Sequence, residues 1–183
     1  MNRVERLGAW LFRHRGWLPV PLVLISLIST PRFVWPGLVL VAGGEALRLF
    51  AVGHIGRRSR TFGDSVGSLV DSGPYARVRN PLYLGNFSIW AGIGLVGWPA
   101  FALVIPLIMV HYGCIVRWEE HNLRAQMGEP YAEYCARVPR WLPVGRAVAG
   151  TYDWREALRS ERGTFAMLST IATAFMFRWY LGS

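Results

Sequence analysis

Two polar blocks contain the residue types in this chain that are capable of chemistry. The first runs from Gly73 to Gly85 and places basic side chains, an Asn-Pro pair and a tyrosine against an apolar run that begins at Leu82. The second runs from Arg117 to Leu123, follows another apolar run and contains two adjacent carboxylates. Charged groups are costly within a bilayer and tend to be functional there. The two blocks therefore indicate chemistry at a membrane surface.

The carboxylates of the second block are Glu119 and Glu120, which diverge by about 100° on a helix. One of them can face a site while the other faces solvent or a partner. Glu120 lies four residues before Arg124, and these two can simply pair on a helix surface. Glu119 has Leu123 four residues further on, so its carboxylate is free to accept both hydroxyls of a ribose.

In the first block, Asn80-Pro81 predicts the start of a helix, because proline suits the first helical turn. The positive end of a helix dipole favours an anionic group at this point. Arg77 and Arg79 either assist such an anion or bind lipid phosphate. For Gly85, close helix packing and close approach of the backbone to a ligand both remain open.

Glu45, Arg48 and His111 are ionisable side chains that lie within apolar runs. Glu45 and Arg48 are three residues apart, which puts them on one helix face. They form either a structural ion pair or a contact with substrate, since intramembrane charges are paired or functional. His111 either donates an inward hydrogen bond or is structural. The other histidines show no metal-ligand spacing, and the two cysteines make no disulfide framework or metal motif.

The composition indicates that lipid surrounds these blocks. The chain has 183 residues, of which 52% are hydrophobic and 17% are charged, whereas soluble domains carry about 25% charged residues. The net charge is +9, and every basic residue is an arginine. Because the arginines flank apolar runs, anionic lipid headgroups account for them better than nucleic acid does. We expect a bilayer and no nucleic acid as partners.

Five apolar runs predict an all-α, polytopic membrane protein with about five transmembrane helices. They cover residues 17–29, 33–52, 82–98, 99–116 and 164–181. A membrane helix needs about 20 residues, so the first run is short. Arginines before a short apolar core also fit a cleaved signal peptide, although two prolines interrupt this core.

The distribution of arginine predicts the topology. Arginines precede the first run and fill the loops between the second and third runs and between the fourth and fifth, whereas the alternate loops hold only Arg32. The positive-inside rule then puts the N-terminus in the cytoplasm and the C-terminus outside. Both polar blocks face the cytoplasm. Residues 118–162 form a cytoplasmic helical region with a helix at about 118–127, a stop at Gly128, a second helix from Pro130 and a break at 138–140.

The blocks together resemble the signature of integral-membrane methyltransferases of the isoprenylcysteine carboxyl methyltransferase and phospholipid methyltransferase families. That pattern is approximately Gly-Pro-Tyr-x-x-Val-Arg-His-Pro-x-Tyr-x-Gly, a helical hairpin, Arg-x-Glu-Glu-x-x-Leu, Gly-x-x-Tyr-x-x-Tyr and Val-Pro-Arg. Asn80 stands where the pattern has histidine, and asparagine cannot titrate near neutral pH. The matching positions span about residues 73–143 and are Gly73, Pro74, Tyr75, Val78, Arg79, Pro81, Tyr83, Gly85, Arg117, Glu119, Glu120, Leu123, Gly128, Tyr131, Tyr134, Val138, Pro139 and Arg140.

The resemblance implies one membrane-embedded domain over residues 1–183, with the signature at 73–143 and a C-terminal extension at 151–183 that carries the fifth span. It implies methyl transfer from S-adenosylmethionine to a lipid or isoprenoid-linked acceptor, at what we expect to be the cytoplasmic face of a bacterial inner membrane. Tyr83, Glu119 and Arg79 are the candidate catalytic residues, and Glu45 and Arg48 are candidates for substrate contact. The implied cofactor-binding residues are Tyr75, Arg77, Asn80, Pro81, Tyr83, Gly85, His111, Glu119, Glu120, Leu123, Tyr131 and Tyr134.

Two other functions stay open. A membrane sterol or enone reductase that uses NADPH resembles this family in its C-terminal architecture, although the Glu-Glu pair favours the methyltransferase. A non-enzymatic membrane scaffold would have no affinity for either cofactor. The sequence also leaves open the oligomeric state and the acceptor, because a carboxylate needs little acid–base help, whereas an amine must first lose a proton.

Overall fold

The computed structural model describes residues 1–16, 20–29, 31–56, 69–98, 100–146 and 148–182. Within these residues the predicted all-α class is confirmed: no strand is present, and an isolated antiparallel bridge joins Gly73 to Val148. A short 3₁₀ turn covers Pro74–Ala76. The helices are α1 (Arg3–Arg13), α2 (Val20–Ile28), α3 (Val34–Ile55), α4 (Pro81–Val96), α5 (Phe101–Met127), α6 (Glu129–Arg137) and α7 (Trp154–Gly182).

Each apolar run coincides with a helix, but the number of membrane crossings stays a prediction. Among the described helices, α3 and α5 are long and apolar enough to cross a membrane, and α4 is apolar but shorter. Several residues used to predict the topology lie outside the described ranges, namely Trp17, Arg57, Arg58, Arg60, Pro99 and Ser183.

The fourth apolar run and the second polar block form one continuous helix, α5. The separate helix predicted at about 118–127 is the C-terminal part of α5. The predicted stop at Gly128 is confirmed, since this residue has a φ of 62°, a left-handed conformation that glycine adopts most readily. Glu119 and Glu120 thus lie within α5, just after its apolar part.

Glycines bring α3 and α4 into close contact. A Cβ atom on Gly44 would lie 2.6 Å from the carbonyl oxygen of Gly85, and one on Gly37 would lie 2.7 Å from that of Gly92. The two glycines are seven residues apart on each helix and pair in reverse order, so the helices run antiparallel. Small residues allow backbones to approach in this way in membrane proteins. The contact sets Arg48 of α3 against α4.

The chain after α6 returns to the first polar block. The backbone N–H of Arg79 donates to the carbonyl of Pro139 at 2.9 Å, and that of Val144 donates to the carbonyl of Arg77 at 3.1 Å. The break predicted at 138–140 is confirmed, because α6 ends at Arg137. This return brings Arg140 beside the second polar block.

The helix α7 begins ten residues before the fifth apolar run. The side chain of Asp153 caps it by accepting from the backbone N–H groups of Arg155 (2.9 Å) and Glu156 (3.0 Å), as expected of an aspartate at a helix N-terminus. The backbone N–H of Asp153 also donates to the carbonyl of Gly53 at 2.9 Å. The start of α7 is therefore fixed to the end of α3, and α7 packs along α3 and α2.

Candidate active site

A cavity of about 830 Å³ lies among the helices and is lined by residues from all seven of the described helices. This volume falls in the range of small-molecule sites, about 300–1,000 Å³. The lining changes from polar to apolar along α4, from Asn80 through Tyr83 and Asn86 to Trp90. The apolar part is completed by side chains from α2, α4 and α7, including Val23, Leu24, Ile89, Met167 and Ile171. The cavity therefore suits a polar group and an apolar group side by side.

Glu119 and Tyr83 join α5 to α4 within this lining. The hydroxyl of Tyr83 donates to Oε1 of Glu119 at 2.7 Å. The other oxygen of Glu119, Oε2, accepts no hydrogen bond from the described residues. A carboxylate has two oxygens that only accept, so Glu119 can hold Tyr83 and still accept from a hydroxyl of a ligand.

Glu120 is the centre of an ion-pair network that we call the Glu120 cluster, formed with Arg140, Asn80 and Arg79. Arg140 donates from Nη2 to Oε2 of Glu120 at 2.7 Å, and from Nε to each of the two carboxylate oxygens at 3.1 Å. Nε of Arg79 lies 3.4 Å from Oε1. Glu120 is 5% exposed, and its hydrogen bond raises the pKa of Arg140. Of the two alternatives for Glu120, the pair with Arg124 is not the one found: the described partners of Glu120 come from elsewhere in the chain.

Asn80 belongs to the same cluster. Its Nδ2 donates to Oε1 of Glu120 at 3.1 Å and to the carbonyl oxygen of Arg140 at 3.3 Å. Both hydrogens of an asparagine amide are accounted for by these two acceptors. The residue at the histidine position of the pattern thus links the start of α4 to α5 and to the segment after α6.

Three tyrosines from the first block and from α6 complete the polar part of the lining. The hydroxyl of Tyr134 donates to the carbonyl oxygen of Tyr75 at 2.8 Å. Tyr131 and Tyr134 pack with Val138 in a small buried core. Burial raises the pKa of Tyr75 and of Tyr134, so both hydroxyls stay protonated. The hydroxyl of Tyr75 is buried and has no hydrogen-bond partner among the described residues, which leaves a donor for a ligand.

A second polar network, the Arg48 cluster, consists of Arg48, Asn86, Glu161 and Thr164. Nη2 of Arg48 lies 2.6 Å from Oε2 of Glu161 and 3.3 Å from the hydroxyl of Thr164. Nη1 of Arg48 donates to Oδ1 of Asn86. Oε2 of Glu45 lies 3.6 Å from Nε of Arg48. The predicted pairing of Glu45 with Arg48 is present, but the shortest ion pair of Arg48 is with α7.

The structure brings most of the predicted site residues into one lining and leaves four outside it. Gly85 packs against Gly44, in agreement with the packing alternative, and the ring of His111 lies edge-on to the ring of Tyr112. Arg77 and Glu45 also lie outside the lining. The predicted residues that line the cavity are Arg48, Tyr75, Arg79, Asn80, Pro81, Tyr83, Glu119, Glu120, Leu123, Tyr131 and Tyr134.

Sequence reasoning missed four polar residues that the structure places at these networks. Arg140 was part of the Val-Pro-Arg motif but had no assigned role. Glu161 and Thr164 were assigned to the cytoplasmic stretch and to the start of the fifth apolar run. Asn86 had one available signal, because it lies one turn after Tyr83 on the same helix face.

Comparison with known proteins places this arrangement in a family. The model of the phospholipid methyltransferase family matches residues 33–129, which is just over half of the chain. The chain belongs to the phospholipid methyltransferase family. The matched part contains α3, α4, α5 and both polar blocks, whereas Arg140 and the whole of α7 lie beyond it. The resemblance found from the motifs is thereby confirmed.

The curated relatives of this family member fall into two groups. The cobalt-zinc-cadmium resistance protein CzcN of Cupriavidus metallidurans is 27% identical over 81% of this chain and 72% of its own. The nickel-cobalt-cadmium resistance protein NccN of Alcaligenes xylosoxydans is 30% identical over 75% and 68%. Human protein-S-isoprenylcysteine O-methyltransferase is 31% identical over 73% of this chain and half of its own. No solved structure matches.

The polar part of the cavity fits the cofactor that a methyltransferase family implies. S-adenosylmethionine carries ribose hydroxyls, an amino group and a carboxylate. Oε2 of Glu119 offers an acceptor for a hydroxyl, and the unpartnered hydroxyl of Tyr75 offers a donor. Among the described residues, no group of three or more histidine, cysteine, aspartate or glutamate side chains is arranged to hold a metal ion.

Proposed function

We propose that this protein transfers a methyl group from S-adenosylmethionine to the polar head of a lipid or isoprenoid-linked acceptor at the membrane. The observation that carries the proposal is the cavity itself, in which residues of both family motifs meet an apolar lining from α2, α4 and α7. A polar cofactor and an amphiphilic acceptor need such a site, because their reactive atoms must meet while their other parts require different surroundings.

Glu119, Tyr83 and Tyr75 are the residues that we assign to the cofactor. Glu119 would accept from the ribose through Oε2, and its bond to Tyr83 fixes the carboxylate between α4 and α5. The Glu120 cluster positions these residues, since it joins the start of α4, α5 and the segment after α6. We propose that Arg79, which lies in this cluster and in the cavity lining, contacts the carboxylate of the cofactor.

The cofactor supplies an activated methyl group on a sulfonium, so the protein has to align the acceptor atom with the methyl carbon and exclude water. We place the side chain of Tyr83 beside the point where the acceptor atom meets the methyl carbon. Tyr83 lies one turn before Asn86 on α4, and about 4.5 Å of helix rise separates the two positions. The head of the acceptor would sit between them, with its tail along Trp90 and α7.

The acceptor enters sideways from the bilayer in this proposal, and the cofactor enters from the cytoplasm. Val23 and Leu24 of α2 and Met167 and Ile171 of α7 line the apolar part of the cavity, which supports a route between these two helices. The arginine asymmetry of the sequence supports the cytoplasmic position of the polar part. Five spans and an inner-membrane location belong to the same proposal.

The test is methyl transfer by the purified protein in lipid nanodiscs. Methyl-labelled S-adenosylmethionine is supplied with fractionated lipid extracts, and products are identified by mass spectrometry. We expect label in a lipid fraction with the wild type and a much lower yield with Glu119→Gln. Equally efficient methylation of a soluble, tail-free analogue would contradict lateral entry. Consumption of NADPH without methyl transfer would support the reductase instead.

A further inference from the structure

The buried end of α7 contributes polar side chains to the cavity, although this helix lies outside the stretch that matches the family. Glu161 is 2% exposed and lines the cavity with Thr164. A buried carboxylate is costly unless it is paired and hydrogen-bonded. Glu161 is paired and hydrogen-bonded through only one of its two carboxylate oxygens.

Both bonds of Glu161 reach Oε2. Arg48 approaches it at 2.6 Å and the hydroxyl of Thr164 donates to it at 2.7 Å. Oε1 accepts no hydrogen bond from the described residues. An ionised carboxylate has acceptor capacity on both oxygens. A cavity-lining carboxylate with one unused oxygen is therefore ready to accept from a donor on a ligand.

The charge of Arg48 is already balanced at this position. Glu161 pairs with it at 2.6 Å, and Glu45 lies 3.6 Å from its Nε. Among the described residues, Arg48 is the only cation that forms an ion pair with Glu161. An anionic head placed here would find the guanidinium of Arg48 already paired with Glu161. It would also lie beside the carboxylate of Glu161, and like charges in a low-dielectric site repel strongly.

We propose that Glu161 determines the specificity for the acceptor. It selects a head that donates hydrogen bonds, either a hydroxyl or an ammonium group, and it rejects a carboxylate. The proton that such a head must lose before its oxygen or nitrogen bonds to the methyl carbon passes to the carboxylate of Glu161. Arg48, Asn86 and Thr164 hold Glu161 in position, and Asn86 places the selected head one helical turn from Tyr83. This inference rests on the proposed function, because it concerns the acceptor of the same site.

The experiment measures the binding of three probes with one tail: dodecylamine, dodecanol and dodecanoate. They are titrated into the full-length protein in nanodiscs at a pH of about 8, where the amine is protonated and the carboxylate is charged. Binding is followed by tryptophan fluorescence, since Trp90 lines the cavity. We expect the wild type to bind the amine and the alcohol at least about tenfold more tightly than the carboxylate, as one charge-assisted hydrogen bond allows.

In Glu161→Gln this preference should shrink by about tenfold. Glu133→Gln is the matched control, because it makes the same charge change at an exposed position on α6 and should behave as the wild type. If Glu161→Gln does not fold, the double variant Arg48→Gln with Glu161→Gln removes both charges together and should lose the preference equally. Wild-type affinity for the carboxylate equal to that for the amine would overturn the inference, as would an unchanged preference in the folded variant.

Calorimetry with S-adenosylhomocysteine on the same samples separates the two proposals. Cofactor binding without any head preference would reject the role of Glu161 and leave the methyltransferase intact. Failure to bind S-adenosylhomocysteine would reject the methyltransferase, whatever the probes show. We expect the affinity for S-adenosylhomocysteine to be the same within about twofold in the wild type and Glu161→Gln, because Glu161 belongs to the acceptor part of the cavity.

Discussion

Replacing Glu120 by glutamine should destabilise the protein far more than the same change at its neighbour Glu119. Glu120 is 5% exposed, accepts hydrogen bonds from Arg140 and Asn80, and forms an ion pair with Arg79. Removing one partner of a buried ion pair costs about 3–5 kcal/mol. The side chain of Arg140 is 35% exposed and can regain water, so we expect the lower part of that range, about 3 kcal/mol.

Glu119→Gln is the internal control for this prediction. Its described hydrogen bond comes from the neutral hydroxyl of Tyr83, and a bond of that kind contributes about 1 kcal/mol. For a chain of this size, 1 kcal/mol corresponds to about 2–4 °C in the unfolding temperature. Thermal unfolding in one detergent should therefore show a loss of about 6–12 °C for Glu120→Gln and about 2–4 °C for Glu119→Gln.

Two further variants test whether Arg140, and not Arg124, is the partner of Glu120. Arg140→Gln should reproduce most of the loss of Glu120→Gln, because it removes the other half of the pair. Arg124→Gln should leave the unfolding temperature within about 2 °C of the wild type, since surface substitutions cost about 0.5 kcal/mol or less. An unfolding temperature for Glu120→Gln close to that of the wild type, or a larger loss in Arg124→Gln than in Arg140→Gln, would refute the reasoning.

Three other predictions follow. Glu119→Gln should weaken S-adenosylhomocysteine binding by about 1.5–3 kcal/mol in calorimetry, the scale of a hydrogen bond to a charged group; unchanged affinity would remove the residue from the site. Gly44→Ala should destabilise the protein in thermal unfolding, because its Cβ would lie 2.6 Å from the backbone of α4, whereas Gly43→Ala meets nothing within 4 Å and should be neutral or slightly stabilising. In intact cells, a cysteine at Asn2 should be protected from an impermeant reagent and one at Ser183 should be labelled; protection of both would rule out an odd number of spans.

The positions of α2, α3, α4 and the first part of α5 could be predicted from the sequence because each is an apolar run with local boundaries, whereas α1 precedes the first run and has no such signal. Pro81 and Gly128 mark helix ends through their own backbone preferences, and both ends are where the sequence puts them. The sequence does not reveal that α5 is continuous, because the residues become polar after Val116 although the helix continues to Met127. The early start of α7 was missed because its cap, Asp153, precedes a charged stretch that resembles a loop.

The sequence predicts which residues line the site better than it predicts which of them pair with each other. Glu119, Glu120 and Tyr83 were candidates because of their types and spacing, and all three line the cavity. Arg140 is the partner of Glu120 because the chain after α6 folds back on the first block, which helical spacing cannot reveal. The same limit applies to Glu161, which reaches Arg48 only because α7 packs on α3.

The measurement that tests the account most directly is a calorimetric titration of the purified protein with S-adenosylhomocysteine, and of a second sample with NADPH. The account predicts saturable binding of about one S-adenosylhomocysteine per chain, weakened in Glu119→Gln, and no saturable binding of NADPH. Binding of NADPH with no heat from S-adenosylhomocysteine would contradict the central claim, and so would the absence of binding to either.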